Sequence, residues 1–430
     1  MSFSTPSKNA SPNASPELGG WRYGLLGLPL AFVALPLYVV LPNYYARAFG
    51  VPLATLGAVL LGARLFDAFI DPLLGRWSDA LFSRSIDAVL GWGAVAAGVL
   101  GLGFTLLFFP PMRQLPALLI WATACLMLTY AAYSVLSILH QSWGAMLGGD
   151  EVQRSRVVAW REGLGLLGVI LASLAPVALG LPATTGLFFV ALAAGWLAWR
   201  SAKRPVMATS SATFAAPSVT IWLPFSRPGF RALLAVFMVN GIASAIPATL
   251  ILFFVQDRLQ APATTEPLFL GSYFLSAALS IPLWLRLVQR LGLARSWGLG
   301  MALSIAVFVF AATLGTGDVT AFVGVCALSG VGLGADLALP GALLAGTLAR
   351  SGDRGRAEGA YFGWWNFASK LNLALAAGVA LPVLGALGYA PGARDEAALQ
   401  TLTWAYCLLP CALKLIAASL LYTLILRKTS

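Results

Sequence analysis

Charge is what this sequence has least of. Only 10% of its 430 residues are Asp, Glu, Lys or Arg, against 59% hydrophobic residues, and a mean hydropathy of +0.83 lies far outside the range of soluble domains. That shortage leaves a polytopic membrane protein. There is one histidine, His140, and there are four cysteines, Cys125, Cys326, Cys407 and Cys411. All four thiols fall in apolar runs, and Cys407 and Cys411 stand one helical turn apart with no histidine or carboxylate beside them. Metal-ligand spacing is therefore missing, and buried packing is the expectation. No phosphate-binding glycine loop and no nucleophile with its base is present, so an enzyme ranks last and no cofactor is expected. The net charge of +11 invites a nucleic-acid reading. The cations, however, come as short clusters between apolar runs rather than on one polar face, which makes them topology determinants, with no nucleic-acid partner expected.

Residues 1–21, rich in Ser, Pro and Asn, read as a disordered cytoplasmic tail. They lack a charged segment leading into a short apolar core and a cleavage site, so no cleavable signal peptide is expected. The two sequons at Asn9 and Asn13 are read as chance matches. Abundant Ala and an excess of Arg over Lys hint at a GC-rich bacterial genome, and the expected location is the inner membrane.

Apolar stretches of about 20 residues are long enough to cross a bilayer as helices. Twelve are found, at about 23–45, 54–75, 87–109, 115–140, 158–180, 183–200, 229–256, 267–289, 296–316, 319–347, 359–388 and 399–426. Placing both termini in the cytoplasm puts nineteen Lys and Arg residues inside and only Arg47, Arg113, Arg258 and Arg394 outside. The positive-inside rule strongly favours that topology. Arg64, Arg161, Lys370 and Lys414 remain as embedded or near-boundary cations. The longest connection, 201–228, carries Pro205, Pro217, Pro224 and Pro228 and divides the chain into bundles at 22–200 and 229–430. A weak repeat agrees: Gly144-Ala-Met-Leu before Arg154-Ser-Arg156 recurs as Gly341-Ala-Leu-Leu before Arg354-Gly-Arg356. The fold class expected is an all-α membrane protein of twelve helices in two six-helix pseudo-symmetric halves, with a site between them.

Charges inside spans suggest function, because a carboxylate or guanidinium at bilayer depth costs several kcal/mol unless it faces protein or water. Arg64, Asp67 and Asp71 follow i, i+3, i+7 spacing and share one helical face. Two carboxylates one turn apart beside a single local cation make a poor neutralising scheme but a good proton or cation site. Their oxygens suit Na⁺, and as a pair they can equally hold a proton. No other metal site is expected. Asp71-Pro72-Leu-Leu-Gly-Arg76 has a faint echo in Ile281-Pro282-Leu-Trp-Leu-Arg286, where Ala277 and Ile281 replace the two acids, so the coupling chemistry is assigned mainly to the first half. Glu162 and Asp336 are the remaining acids within spans. For His140 two readings stand: a neutral ring satisfied by a backbone carbonyl, or a substrate contact or proton relay. Arg161 and Glu162, being adjacent, are expected to face different neighbours, about 100° apart. Trp143, Trp160, Trp364 and Trp365 either pack and anchor or wall an apolar cavity.

Ala63-Arg64-Leu-Phe-Asp67-Ala-Phe-Ile-Asp71-Pro72 resembles the second-helix signature of the glycoside-pentoside-hexuronide:cation symporters, a branch of the major facilitator superfamily. Ser142-Trp-Gly-Ala-Met-Leu-Gly-Gly-Asp150 through Trp160-Arg161-Glu162 is similar to that family's fourth loop and fifth helix, and Glu358-Gly-Ala-Tyr361-Phe362-Gly363 through Lys370-Leu371 to its eleventh helix. The resemblance implies that Asp67 and Asp71 are the coupling carboxylates, that Lys370 approaches them from the other half, and that Arg161 belongs to the sugar site. Two family acids are missing, since Ser137 stands at the fourth-helix position and residues 23–45 contain no acid. The coupling ion is therefore left between H⁺ and Na⁺.

The expected function is secondary active symport of a sugar or related small solute by alternating access, by a monomer in the lipid bilayer. Asp67, Asp71 and Lys370 would couple the cation. The candidates for substrate contact or gating are Arg64, Ser137, His140, Gln141, Trp143, Arg161, Glu162, Asp336, Tyr361, Trp365 and Asn366. Two alternatives stay open: a transporter of an amphipathic or lysolipid-like substrate, and a non-transporting receptor or assembly factor with the same fold.

Overall fold

The computed structural model describes residues 20–205, 220–390 and 392–427. Most of the expected N-terminal tail and the centre of the 201–228 connection lie outside the described residues. The first helical run, α1, is built from Gly20–Gly24, Gly27–Leu35, a π turn at Pro36–Val40 and Leu41–Phe49. There follow α2 (Leu53–Arg84), α3 (Ile86–Phe108), α4 (Leu115–Met146), α5 (Glu151–Ala178) and α6 (Gly180–Arg200). After the connection come α7 (Pro228–Phe253, extended by a π turn at Phe254–Arg258), α8 (Glu266–Leu291), α9 (Leu293–Ala311), α10 (Val319–Arg350) and α11 (Glu358–Ala386). The last run, α12, joins Glu396–Thr403, a π turn at Trp404–Leu408 and Leu409–Leu421.

Among the described residues nine helices are long and apolar enough to cross a membrane. The segmented α1, the charge-bearing α2 and α11 fall outside that set, the last two being the helices that carry Asp67, Asp71 and Lys370. The ends are set by local chemistry. Asp150 and Gln153 form a reciprocal capping box at the start of α5, and the Ser85 and Asp395 side chains accept the Ala88 and Ala398 amides at the starts of α3 and α12. A single residue, Gly292 at φ 78°, reverses the chain between α8 and α9.

One core is made entirely from residues between Tyr23 and Ala202, whereas two others draw almost wholly on residues from Phe230 onward. A small fourth cluster, Ala159, Leu166, Ala277 and Ile281, lies on the seam between α5 and α8. The orientation of α2 follows from its two stripes. Leu61, Leu65, Phe69 and Leu73, spaced by four, are 57%, 45%, 66% and 62% exposed, while Asp67 and Asp71 are 2% and 0% exposed. The apolar stripe is turned to the lipid and the carboxylates to the protein.

The two sets of helices meet tightly at one end of the bundle. There α2 and α11 touch backbone to backbone: a Cβ at Gly75 would sit 2.1 Å from the Gly359 carbonyl oxygen, and one at Gly363 2.6 Å from the Asp71 carbonyl oxygen. Asp79 caps α11 by accepting the Gly359 and Ala360 amides at 2.5 and 2.9 Å, an anion at a helix N-terminus. Glu151 of α5 accepts the Leu293 amide at 3.0 Å, and Arg354 donates to the Met146 carbonyl at 3.0 Å. Towards the other end of α2, Gly57 and Gly62 have open space beside them. Gly75→Leu is therefore expected to lower the unfolding midpoint of the detergent-solubilised protein by about 5 °C or more, and Gly62→Leu to leave it unchanged. Equal midpoints for the two variants would refute the close α2–α11 contact.

Candidate functional site

The Lys370 ammonium sits inside a cage of oxygens. Its Nζ lies 2.7 Å from Asp67 Oδ1 and 2.7 Å from Asp71 Oδ2. It also donates to Ser134 Oγ at 2.9 Å and to the Asp67 carbonyl at 3.3 Å. Ser134 in turn donates to Asp67 Oδ1 at 2.8 Å. Three helices therefore build the cluster: α2 supplies both acids, α4 the hydroxyl, and α11 the lysine from the opposite half. Two carboxylates face one ammonium, and the second oxygen of Asp71, Oδ1, is buried without a hydrogen-bond partner. The cluster therefore has capacity for one more positive charge. Arg64 stands further along α2, exposed, within electrostatic reach of Tyr130 on α4.

Beside this cluster is a polar cavity of about 110 Å³. Ser137, His140 and Gln141 of α4 and Arg161 and Glu162 of α5 line it, with Tyr133 of α4 and Gly27, Leu30 and Ala31 of α1 closing it. Arg161 and Glu162 are bonded to each other, with Nε donating to Oε1 at 2.9 Å and Nη2 to the same oxygen. This corrects the expectation that they face different neighbours. Backbone direction separates adjacent residues, but three methylenes let the guanidinium curl back along the helix, and neutralising a partly buried charge repays that bend. His140 is held by Tyr23: its Nε2 lies 2.8 Å from the Tyr23 carbonyl, the Tyr23 hydroxyl donates to the His140 carbonyl at 3.0 Å, and the rings stack at 4.1 Å. A carbonyl accepts only, so Nε2 carries hydrogen, and Nδ1 is buried without a hydrogen-bond partner. Gln141 donates to Ser137 Oγ at 3.0 Å.

The tryptophans do not wall this cavity. Trp143 is fully buried, donates to the Lys203 carbonyl at 3.1 Å and packs edge-on against Trp199, while Trp365 stacks on Phe237 at 3.8 Å. Tyr361 donates to Asp353 at 2.7 Å, and Asp353 also holds Arg227 in a two-pronged ion pair. That hydrogen bonding and charge push the half-buried Arg227 guanidinium up from its already high value. Asn366 is half-buried on α11, one turn before Lys370.

Asp336 belongs to a cluster that the sequence did not disclose. It accepts from Asn240 Nδ2 at 2.9 Å, Ser244 Oγ at 3.2 Å and Trp297 Nε1 at 2.8 Å, and it pairs with Lys414 at 3.1 Å. Lys414 donates also to Asn240 Oδ1 and Ser244 Oγ. Four helices of the second half, α7, α9, α10 and α12, are tied together by this pair. The one available signal was a lone lysine in an apolar run, which must find an acid.

A helical membrane protein in which a buried Lys370–Asp67–Asp71 cluster joins its two halves beside a polar cavity has the anatomy of a solute carrier. The chain belongs to the MFS/sugar transport protein family, which it matches over residues 22–428. It is 24% identical over 386 residues to the uncharacterized symporter YjmB of Bacillus subtilis, covering 84% of this chain and 81% of that one. It is also 27% identical over 160 residues to the inner membrane symporter YicJ of Escherichia coli, covering 36% and 33%. Among solved structures it is similar to a bacterial homologue of the iron transporter ferroportin in the outward-facing state, with a TM-score of 0.70 at 18% identity, covering 94% of this chain and 98% of that one. It is similar as well to the major facilitator transporter FucP in the outward conformation, with a TM-score of 0.64 at 15% identity, covering 93% and 99%. These likenesses establish the major facilitator fold.

The Lys414–Asp336 pair makes a stability prediction. Lys414→Met strands a buried carboxylate and should destabilise the protein by about 3–5 kcal/mol, whereas Lys414→Met with Asp336→Leu removes both charges and should recover most of that loss. Denaturant unfolding in micelles measures both, and a single variant as stable as the parent would show that the pair is not buried.

Proposed function

We propose that this protein is a secondary symporter that couples the movement of H⁺ or Na⁺ to that of a sugar-like small solute. The observation that carries the reading is Lys370 Nζ held 2.7 Å from both Asp67 and Asp71 across the seam between the halves. Without a coupling ion the ammonium neutralises the carboxylates and keeps α11 on α2. A proton or Na⁺ arriving at Asp67 and Asp71, with Ser134 Oγ as a further oxygen, takes over that neutralisation and frees the lysine. A carrier that could reorient without either cation would have to move unpaired carboxylates through low dielectric, which is the penalty that enforces coupling. The solute is assigned to the neighbouring polar cavity, where Arg161, Glu162, Gln141 and Ser137 offer donors and acceptors to hydroxyl groups.

The same reading places the halves at 22–200 and 229–430, counts twelve spans, and puts both termini on the cytoplasmic side of a bacterial inner membrane, with the protein acting as a monomer. The membership of the sugar-transport family supports the solute class, and the symporter names of the relatives support ion coupling. Purified protein in liposomes, screened with glycosides, pentoses and uronates under pH and Na⁺ jumps, tests it. Substrate-dependent ion flux is expected in the parent and should be abolished in both Asp67→Asn and Asp71→Asn, with each variant still monodisperse. Concentrative uptake retained by Asp67→Asn would rule the coupling role out.

A further inference from the structure

A second cavity, of about 210 Å³, is lined wholly by the second half, from α7, α8, α9, α10 and α12. It shares no lining residue with the polar cavity of the first half, and the buried cluster of Ala159, Leu166, Ala277 and Ile281 fills the α5–α8 seam that separates them. A ligand held here is therefore held apart from the polar cavity.

The walls are rings fixed by other rings. Tyr273, Phe274, Phe308 and Tyr406 line the cavity. Tyr406 stacks on Phe254 at 4.3 Å and lies 5.7 Å from Phe308, and Tyr273 meets Phe274 edge-on at 5.2 Å. An apolar protein cavity of about 150 Å³ accommodates benzene, so this one admits a six-membered ring with small substituents. Aromatic walls give such a ring edge-on and offset contacts.

The polar groups of the wall fall into two sets. At the charged edge everything is engaged: Lys414 donates to Asn240, Ser244 and Asp336, and Asp336 accepts from Asn240, Ser244, Trp297 and Lys414. That edge has no capacity left for a charged ligand, so a neutral one fits. The other set is unengaged. Tyr406 is only 3% exposed, yet among the described residues neither its hydroxyl nor that of Tyr273 makes a hydrogen bond. Burying a hydroxyl without a partner costs free energy, and a ligand that bonds it removes the cost. On α7, Pro247 has no N–H to give the Ala243 carbonyl, and both residues line the cavity. Ser304 and Ser329 donate to the Gly300 and Cys326 carbonyls and keep lone pairs that can accept. Tyr406 itself lies in the π turn of α12, a departure from regular helix that is frequent at functional sites.

We propose that the second-half cavity is a binding site for a free, neutral ring of the phenol class. The ring packs among the four aromatic side chains, and its hydroxyl accepts from Tyr273 or Tyr406 and donates to an oxygen of Ser304, Ser329 or Ala243. The site is independent of the ion cluster and of the polar cavity, so it stands whether or not the chain is a sugar symporter.

The full chain in nanodiscs, dialysed to equilibrium against 4-methylphenol, toluene or benzoate with empty nanodiscs as the partition control, tests this. 4-Methylphenol should bind saturably, and benzoate should not bind. Toluene should bind about tenfold more weakly than 4-methylphenol, for want of one buried hydrogen bond. Tyr273→Phe combined with Tyr406→Phe keeps both rings and should erase that preference. Ser329→Leu takes up part of the cavity and should weaken both compounds by about tenfold. Methyl glycosides in excess should leave 4-methylphenol binding unchanged. Absence of saturable 4-methylphenol binding overturns the proposal, as does equally tight binding of benzoate. An undiminished preference over toluene in the double tyrosine variant, unchanged binding in Ser329→Leu, or displacement by a methyl glycoside each overturns it as well.

Discussion

The structure depends on the neutralisation of Asp67 and Asp71. Two carboxylates one turn apart in a bilayer-spanning helix are tolerated only if the protein surrounds them and a cation meets them, and the cation comes from α11, some three hundred residues later in the chain. Much else follows from that need. The opposite stripe of α2 must be apolar because it faces lipid, as Leu61, Leu65, Phe69 and Leu73 do. Glycines must stand where α2 and α11 cross, because Lys370 reaches the acids only if the two backbones come close. Asp79 then fixes the start of α11 at the same crossing.

The two buried ion clusters obey the same electrostatic rule with different outcomes. Around Asp336 every oxygen and every ammonium proton has a partner, drawn from four helices of one half, so the network holds that half together as a unit. Around Asp71 one oxygen is unpartnered and the count of charges is one cation short. A saturated network resists exchange, whereas an unsaturated one invites it. The first pair is suited to rigidity, and under the symport reading the second is suited to trading one cation for another.

Much of this is legible in the sequence itself. The i, i+3, i+7 pattern places the acids of α2 on one face because helical periodicity is local, and the helical membrane fold follows from hydropathy. Lys370 as their partner came only through resemblance, since no local rule links residues so far apart. The Arg161–Glu162 bond escaped because backbone angles say nothing of how a long side chain folds back. The Asn240–Trp297–Asp336–Lys414 network escaped for another reason: its members are single polar residues on four helices, with no motif spacing to join them. Ser134 rather than Ser137 meets Asp67 because one further helical turn along α4 brings its hydroxyl level with the acid.

The distribution of contact types bears on how the halves can move. Within each half the helices are joined by large apolar cores. Between the halves, at the closed end, the described polar contacts are few: a carboxylate on two helix-terminal amides, a guanidinium on a carbonyl, a carboxylate on one amide. Hydrogen bonds of this kind contribute about 1 kcal/mol each, rising to about 3 when one partner is charged, so they can be broken and remade in turn. The Lys370 cluster is the exception, because separating it would strand two carboxylates in low dielectric. Under the symport reading it is therefore the step that must wait for a replacement cation, and the weaker contacts at the closed end can release once that replacement has arrived.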